Sequence, residues 1–443
     1  MNIKSIFTSF VMCLTLVLAM SCSKDSEGKD EKNYFKMVPV QDNTCVVLWD
    51  PSVYNFKVAN KYYLDYFRKK EQEKKKQEQE LNQSSACTSW RNGNFHGRNL
   101  DWYQANYGCI VIKMPKGNGV KYASVGTINS STIVTQDFVN AGVLSNEMRQ
   151  VLPAATTDGI NEAGVAININ IVPHQPGDPY KGYREDALCS NAVVRYVLDN
   201  AGSVGEAIKL IDKEYVCQSI VNLAGDESHY MISNKDTTAV VEFPQGEMKV
   251  TYFKKTDKGW YSENNNPAIM TNFYDYAAEQ YGVGTEAFYD YHPTAMGVER
   301  WLTVKDQYDN AKNSVESNLV IAKSVWYFKG LIKEKKLWYT DNAVPESAYG
   351  KDAYGWYYFN KKELIRVANA QEAMKGYWDA NMQQYWADYE NKYGILNDPH
   401  VKDNKYWETS HTVIYDIANK KGYLYPFENF YNKEGKAIDL LLP

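Results

Sequence analysis

The chain has 443 residues, a formal net charge of −5 at pH 7 and 44% hydrophobic residues. This length is sufficient for one large domain or two of ordinary size, each with a substantial core. The mildly negative charge gives no basic surface of the kind that nucleic-acid binding requires, so we expect no nucleic-acid partner. Tyrosine is frequent, with 36 residues. Aromatic-rich surfaces often line pockets for large apolar ligands, although many tyrosines are half-buried structural residues.

The N-terminus has the pattern of an export signal. Lys4 supplies a positive charge, and residues 6–20 form an apolar core that is shorter than the roughly 20 residues of a membrane span. Leu18–Cys22 resembles a bacterial lipobox, which predicts a signal peptide over residues 1–21 and a lipid on Cys22. The alternative is an ordinary cleaved signal in which this cysteine has no role. We therefore expect an exported protein, anchored as a lipoprotein in the outer membrane or periplasm or at the cell surface of a Gram-negative bacterium.

Residues 22–86 are predicted to form a tether and a propeptide helix. Residues 23–32 contain no apolar side chain and predict a flexible tether. Residues 54–83 lack Gly and Pro and end in a run of Lys, Glu and Gln, which favours a helix. The apolar side of this helix carries Tyr63, Leu64 and Phe67. The helix is either solvated or a linker that presents the Ala86–Cys87 bond for cleavage.

Cys87 has the sequence surroundings of a nucleophile. It lies in segment 85–90, which is followed by a turn and then by segment 96–102 with Arg98 and Asp101. Gly93 and Gly97 are expected to let the chain fold back, which would bring the cation and the carboxylate towards the sulfur. A thiol becomes a good nucleophile when a base removes its proton or when its pKa is lowered.

A cut between Ala86 and Cys87 would supply such a base. The new α-amine of Cys87 would have a pKa of about 7.7–8, so it would be ready for proton transfer near neutral pH.

Five cysteines remain if Cys13 leaves with the signal and Cys22 is acylated. No CxxC or Cys–His spacing typical of a metal site is present. An oxidising compartment allows one or two disulfides, but one thiol must stay unpaired, and Cys87 is our candidate. The remaining cysteines are more often inert core residues: Cys45, Cys109, Cys189 and Cys217.

The rest of the chain alternates short strands with helices. Strands are predicted at 108–114, 165–172, 229–233, 238–243, 411–417 and 422–425, and helices at 187–198, 204–211 and 298–308. The run 165–172 alternates Asn with Ile, which is typical of a strand with one apolar face. Because strands come first, then paired helices, then strands again, the pattern favours α+β layers over a βαβ series.

Residues 326–407 are rich in Trp, Tyr, Lys and Glu and are predicted to be an aromatic-rich helical insertion. Helical portions are expected near 362–370 and 373–393. The insertion either packs as a helical flap or serves as a lid or pocket wall.

Several segments, in this order, resemble the choloylglycine hydrolase and penicillin V acylase family. They are Cys87-Thr88, Gly97-Arg98-Asn99-x-Asp101, Gly159-Ile160-Asn161-Glu162-Ala163-Gly164-x-Ala166, Tyr230-Met231-Ile232, Ala239-Val240-Val241-Glu242, Met270-Thr271-Asn272, Glu299-Arg300 and Tyr415-Asp416. The resemblance extends over about residues 87–429 and is interrupted by the aromatic insertion. It implies an N-terminal nucleophile (Ntn) hydrolase with a four-layer αββα sandwich and a catalytic domain over residues 87–443.

The resemblance also implies roles for individual residues. Cys87 would be the nucleophile, Arg98 would favour its thiolate, and Asp101 would orient its α-amine. Asn272 would stabilise the tetrahedral oxyanion, a donor whose loss typically costs about 10²–10³ in rate. Arg300 matches a family arginine that is needed near the site.

The family's remaining asparagine has two candidates, Asn168 and Asn170. We choose Asn170 because Ile169 and Ile171 flank it, as apolar residues do in the relatives.

The implied activity is hydrolysis of a linear, non-peptide amide C–N bond whose acyl group is large and apolar, with conjugated bile salts first. N-acyl amino acids, N-acyl lipids and penicillin V are alternative substrates for the same mechanism. The reaction implies no metal and no organic cofactor. Because residues precede Cys87, maturation requires a cut after Ala86, which is autocatalytic in relatives with propeptides. The released fragment either separates or stays bound, and relatives often form oligomers.

Two interpretations from other classes remain. A papain-like enzyme would need a His and an Asn or Asp near the cysteine, and none of the six histidines lies in a papain-like context. A non-catalytic surface lipoprotein would bind lipids or glycans through the aromatic insertion.

Overall fold

The computed structural model describes residues 34–35, 37–40, 44–77, 85–103, 109–129, 146–172, 182–218, 227–291, 297–308, 311–333, 349–351, 357–359, 407–426 and 437–443. The strands, in chain order, are β1 (Met37–Pro39), β2 (Cys45–Leu48), β3 (Ser85–Asn92), β4 (Phe95–Tyr103), β5 (Cys109–Met114), β6 (Ser124–Asn129), β7 (Asp158–Asn161), β8 (Ala166–Val172), β9 (Leu188–Cys189), β10 (Val216–Cys217), β11 (Glu227–Ser233), β12 (Thr238–Glu242), β13 (Lys249–Thr256), β14 (Gly259–Tyr261), β15 (Ile269–Met270), β16 (Tyr349–Lys351), β17 (Tyr357–Phe359), β18 (Trp407–Asp416), β19 (Lys421–Pro426) and β20 (Ile438–Leu440). The α-helices are α1 (Phe56–Gln77), α2 (Asn146–Val151), α3 (Val193–Asn200), α4 (Val204–Asp212), α5 (Asp275–Tyr281), α6 (Glu286–Tyr291), α7 (Val298–Tyr308) and α8 (Val315–Lys333).

Two sheets form the centre of the described part of the molecule. The larger sheet has ten strands in the order β1-β2-β5-β6-β7-β8-β11-β12-β13-β14, and the smaller has six in the order β15-β3-β4-β18-β19-β20. Neighbours within both sheets are antiparallel except β2 and β5, which are parallel. The connection between those two strands is long, and it contains α1, β3 and β4.

Helices cover the outer face of each sheet. On the ten-stranded sheet, Ile167 and Ile169 pack in one buried cluster with residues of α1 to α4, such as Val194 and Ile208. On the six-stranded sheet, residues of β3, β18 and β19 pack with α5 to α8 in a second cluster. A third buried cluster joins Val111, Val125 and Ile160 of the first sheet to Val413 and Leu424 of the second. The layers therefore follow the order helix, sheet, sheet, helix, which confirms the expected αββα sandwich.

The strand β8 shows how alternation in the sequence sets these layers. Successive side chains of a strand point to opposite faces. Ile167 and Ile169 face the helices, while Asn168 and Asn170 face the other sheet, where they bond to its side chains. The predicted apolar face is therefore the helix-covered face, and the asparagines lie between the sheets.

The segment that precedes Cys87 belongs to the folded body. Strands β1 and β2 extend the ten-stranded sheet. The apolar residues predicted on α1, namely Tyr63, Leu64 and Phe67, are all buried in the cluster below it. The first half of this helix is thus packed on the sheet rather than solvated.

One expectation needs correction. The predicted helix 187–198 begins only at Val193, because Leu188 and Cys189 pair in parallel with β10 and a 3₁₀ turn follows. The predicted start of the insertion at residue 326 falls inside α8, whose Ile321 and Val325 are core residues. The helical portions predicted at 362–370 and 373–393 lie outside the described residues.

Gly97 has a different role from the one expected, since the turn of the β3–β4 hairpin is made at Gly93, which has a φ of +54°. Gly97 lies within β4, opposite Trp90. A Cβ added there would lie 2.2 Å from the indole ring of Trp90. Only glycine lets the buried ring approach the strand this closely.

Within the described ranges, none of the helices combines the length and the apolar character needed to cross a membrane.

Gly97→Ala should destabilise the protein by about 1–3 kcal/mol, because a methyl group cannot enter the space that the Trp90 ring fills. Urea unfolding followed by circular dichroism measures this change. Gly205→Ala is the matched control, since a Cβ on that residue of α4 meets nothing within 4 Å. We expect the control to be neutral or slightly stabilising. Equal midpoints for the two variants would contradict this assignment of Gly97.

Candidate active site

Cys87 lies near the start of β3 and is 1% exposed. Three of its atoms contact buried polar side chains. Its sulfur lies 3.7 Å from an Nη2 donor of Arg98. Its backbone N–H donates to Oδ1 of Asn272 over 3.0 Å, and its carbonyl oxygen accepts from the guanidinium of Arg300. The sulfur, the nitrogen and the carbonyl of one residue are therefore each held by a different side chain.

Arg98 is fixed by a buried ion pair that links the two sheets. Its Nη1 donates to Oδ2 of Asp158 over 2.7 Å, and both side chains are at most 1% exposed. Its Nη2 donates to the carbonyl of Ile169 over 2.7 Å. Burial alone would lower the pKa of Arg98, but Cys87 and Asp158 outweigh burial and raise it. Arg98 is thus a permanent cation beside the sulfur.

Asp158 is the centre of the network around Arg98. Besides the guanidinium, it accepts hydrogen bonds from Thr127 over 2.6 Å, from Tyr415 over 2.6 Å and from Nε2 of His411 over 3.1 Å. Burial would raise the pKa of this carboxyl, but His411, Arg98 and Thr127 outweigh burial and lower it well below its usual range. The carboxylate therefore stays charged and holds the guanidinium in place.

A chain of neutral groups continues from His96 along the space between the sheets. Burial lowers the pKa of His96 to about 4, so its ring is neutral near pH 7. Its Nε2 pairs with Oδ1 of Asn168 over 2.7 Å, and its Nδ1 pairs with the hydroxyl of Ser233 over 2.9 Å. Asn168 donates in turn to Ser89 over 2.7 Å and to Oδ1 of Asn170 over 3.0 Å.

These hydrogen bonds give the two candidate asparagines different partners. Asn168 bridges His96 and Ser89, whereas Asn170 directs its Nδ2 to the carbonyls of Met270 and Thr271 over 3.2 and 3.3 Å. Asn170 therefore contacts the segment that leads into Asn272. Its connection to Cys87 runs through this segment and Asn272.

Asn272 and Arg300 reach Cys87 from the other side. Oδ1 of Asn272 accepts from both Cys87 and Arg300, and its Nδ2 donates to the carbonyl of Ile171 over 2.6 Å. Gly297 makes this approach feasible, with a φ of +86°. A Cβ on Gly297 would lie 2.8 Å from an Arg300 nitrogen and 3.0 Å from the Asn272 backbone nitrogen.

Asp101 and Arg98 do not share a face of β4. Residues three apart in a regular strand direct their side chains to opposite faces. The pairing of β3 with β4 is continuous, with Ala86 opposite Asp101. Asp101 is fully buried and accepts a hydrogen bond from Thr409 over 2.7 Å. Asp101 therefore lies at the strand position opposite Ala86, whereas Arg98 contacts the sulfur of Cys87.

The five cysteines in the described ranges are all buried free thiols. Burial raises the pKa of Cys45 and of Cys189 to about 12 and also raises the pKa of Cys109. These three thiols are thus inert near neutral pH, in accordance with their expected role in the core. Among these cysteines, Cys87 is the one whose sulfur lies against a guanidinium.

The sequence analysis missed Asp158, His411 and Thr127. Asp158 is the first residue of β7. The available signal was a carboxylate at the start of a short strand. That signal does not identify a partner, because Arg98 and His411 are distant in the sequence.

Part of the chain is similar to a known protein family. Residues 86–295 match the model of a family described as linear amide C–N hydrolases, choloylglycine hydrolase family, and this match begins one residue before Cys87. Over these residues the match supports the family resemblance and the class of enzyme expected from the sequence.

Among solved structures, penicillin V acylase from Agrobacterium tumefaciens is similar at 15% identity over 78% of this chain and 80% of its own, with a TM-score of 0.35. Two variants of conjugated bile acid hydrolase from Clostridium perfringens are similar at 15% and 16% identity, each over 80% of this chain and 92% of their own, with TM-scores of 0.36 and 0.35. No curated protein matches the chain.

Asp158→Asn should destabilise the protein by about 3–5 kcal/mol, because it leaves the buried Arg98 cation without its counter-charge. Tyr415→Phe is the matched control, since it removes one hydrogen bond to Asp158 and keeps the ion pair, at a cost of about 0.5–1.5 kcal/mol. Urea unfolding at pH 7 measures both. A smaller loss for Asp158→Asn than for Tyr415→Phe would show that the ion pair does not organise this region.

Proposed function

We propose that the chain is cut before Cys87 and hydrolyses amides through that residue, a proposal that the match of residues 86–295 to the choloylglycine hydrolase family of linear amide C–N hydrolases supports. The observation that carries the proposal is the arrangement around Cys87. Its sulfur faces Arg98 at 3.7 Å, and its nitrogen is held by Asn272 at 3.0 Å. An enzyme that uses the sulfur and the α-amine of one residue needs both groups to be positioned independently.

Maturation begins with attack of the Cys87 sulfur on the carbonyl carbon of Ala86. The bond from that carbon to the Cys87 nitrogen breaks, the nitrogen gains a proton, and a thioester forms. Water then hydrolyses the thioester, which leaves a carboxylate on Ala86 and a free thiol and amine on Cys87. The cation of Arg98 favours the thiolate that this attack requires.

Turnover uses the same sulfur against an external amide. The α-amine of Cys87 accepts the thiol proton, the thiolate attacks the substrate carbonyl, and the amine product leaves with that proton. Water hydrolyses the resulting acyl thioester and releases the acid. Asn272 holds the Cys87 nitrogen in the intact chain, and we assign it the same hold on the free amine.

The oxyanion role predicted for Asn272 depends on a rearrangement, and Asn170 could supply the same donor only in the same way. In the intact chain, the Nδ2 of Asn272 donates to Ile171 and that of Asn170 donates to Met270 and Thr271. One of these amides must leave its carbonyl partner to face a tetrahedral intermediate. We propose that this change occurs when the residues before Cys87 are released.

For substrates, we propose amides with a large apolar acyl group, with conjugated bile salts first. N-acyl amino acids, N-acylethanolamines and phenoxyacetyl amides are the alternatives for the same mechanism. The family description and the abundance of aromatic residues support this choice. The rate of amine release from each of these four amide classes would rank them as substrates.

Cys87→Ala should abolish both the cut and amide hydrolysis, because it removes the attacking sulfur. Intact mass and N-terminal sequencing of the purified protein should show an N-terminus at Cys87 in the unmodified chain and an uncut chain in the variant. Cys189→Ala is the control, since that buried thiol lies outside the site, and it should be cut normally. An active enzyme in which the bond before Cys87 remains intact would refute the mechanism.

We further propose that the fragment before Cys87 stays bound after the cut. Strand β2 pairs with β5 through four register positions. Trp49, Tyr54, Tyr63 and Phe67 of this fragment are at most 2% exposed, and fully burying one such side chain contributes about 1.5–3 kcal/mol. If Cys22 carries a lipid, the bound fragment would hold the catalytic chain at the membrane. Whether the resulting two-chain unit forms oligomers remains a prediction of the family resemblance.

The two pieces should therefore elute as one species in size-exclusion chromatography and separate on a denaturing gel. Tyr63→Ala, which opens a cavity under α1, should weaken retention of the fragment. Lys61→Ala on the exposed side of the same helix should not, since the Lys61 side chain is 60% exposed. Elution of the catalytic piece alone from the unmodified protein would contradict the proposal.

A further inference from the structure

A second cluster of polar residues lies away from the sulfur of Cys87, where the segment after β15 meets the ten-stranded sheet. His229 of β11, Glu242 at the end of β12 and Asp275 at the start of α5 come together there. Their exposed fractions are 0%, 0% and 4%. One ligand atom from each residue can be chosen so that all three lie within 4.8 Å of one another. An imidazole and two carboxyl groups buried together are stable only when protons or a cation neutralise the carboxyl groups.

The hydrogen bonds of His229 determine which ring nitrogen faces the cluster. Its Nε2 lies 3.0 Å from the carbonyl oxygen of Thr271. A carbonyl oxygen can only accept, so this nitrogen carries the hydrogen. The other nitrogen, Nδ1, is buried and has no hydrogen-bond partner. It lies 3.6 Å from Oε2 of Glu242.

The two carboxylates are also arranged as ligands. Glu242 accepts the backbone N–H groups of Asp275 and Tyr276, over 3.0 and 2.5 Å, which fixes the plane of its carboxylate. Oδ2 of Asp275 is buried without a hydrogen-bond partner. Among the described residues, no Lys or Arg forms an ion pair with either carboxylate. The cluster thus has two unsatisfied buried atoms that can both donate electron pairs.

The spacing fits a small divalent ion. Zinc binds imidazole nitrogen and carboxylate oxygen at about 2.0–2.2 Å with tetrahedral geometry, so two of its ligand atoms lie about 3.4 Å apart. The separation of 3.6 Å between His229 Nδ1 and Glu242 Oε2 is close to this value. A mixed set of one nitrogen and two oxygens is typical of zinc and neighbouring transition metals, whereas calcium and magnesium prefer oxygen alone.

We propose that His229, Glu242 and Asp275 bind a divalent transition-metal ion of the zinc class. The ion would join the ends of β11 and β12 to the segment 271–276. That segment carries Asn272, whose Oδ1 holds the Cys87 nitrogen. The ion would position Asn272 through the Thr271 carbonyl and the backbone of residues 275 and 276.

The test is metal binding by the full chain. Protein purified without metal-affinity steps is stripped by prolonged dialysis against a chelator, then titrated with ZnCl₂ and measured by elemental analysis and thermal unfolding. We expect about one equivalent of zinc and a melting temperature that rises with zinc concentration. His229→Gln and Asp275→Asn should each weaken zinc binding by more than about 100-fold.

Glu279→Gln is the matched control, because it removes the same charge one turn further along α5, where Glu279 pairs with Asn266. It should bind zinc as the unmodified chain does. Absence of bound zinc, or binding that all three variants retain, would overturn the proposal and leave the three side chains sharing protons instead.

Only the link from the ion to catalysis rests on the proposed function, and the same titration separates the two. Cys87→Ala should bind one equivalent of zinc although it is uncut and inactive. Zinc binding without amidase activity in the unmodified chain would refute the proposed function alone, whereas activity without zinc binding would refute the metal site alone.

Discussion

The buried ion pair between Arg98 and Asp158 is the interaction on which the site depends. Arg98 comes from β4 of the six-stranded sheet and Asp158 from β7 of the ten-stranded sheet, so the pair joins the two central layers. Removing two charges from water is expensive, and such a pair is favourable only when further hydrogen bonds satisfy both partners. Here the hydroxyl groups of Thr127 and Tyr415 donate hydrogen bonds to the carboxylate. The result is a cation at a fixed position beside the sulfur of Cys87.

Between the sheets, the αββα sandwich is divided into an apolar part and a polar part. Val111, Val125 and Val413 pack in the apolar part. In the polar part, His96 and Asn168 are fully buried but hydrogen-bonded, as buried polar groups must be to avoid a large desolvation cost. A network of this kind has few alternative arrangements, because its buried donors and acceptors are paired with one another. It therefore determines side-chain orientation around Cys87 more strictly than apolar packing would.

Local sequence patterns predicted the strands and hairpins whose formation depends on neighbouring residues. The alternating run 165–172 gave β8 and its two faces, and the β3–β4 hairpin followed from the segments around the turn at Gly93. The helix expected from residue 187 failed at its start, because pairing with the distant β10 overrides local helix preference there. Residues 315–333 were not predicted as one helix.

The site was predictable only where a family motif names residues. The motifs identified Arg98, Asn272 and Arg300, and the structure brings all three to Cys87. They could not identify Asp158 as a partner of Arg98, because that contact is created by the packing of one sheet on another. The cluster of His229, Glu242 and Asp275 was invisible for the same reason, since its members come from two strands and a helix with no recognisable spacing.

The segment 271–276 connects all of these features. Asn272 holds the nitrogen of Cys87, and the Thr271 carbonyl receives both Asn170 and His229. The backbone at residues 275 and 276 is held by Glu242. Polar side chains of the ten-stranded sheet thus act on the Cys87 nitrogen through this short segment, while Arg98 acts on the sulfur directly. The groups that position the sulfur and the nitrogen of Cys87 are already in place in the intact chain.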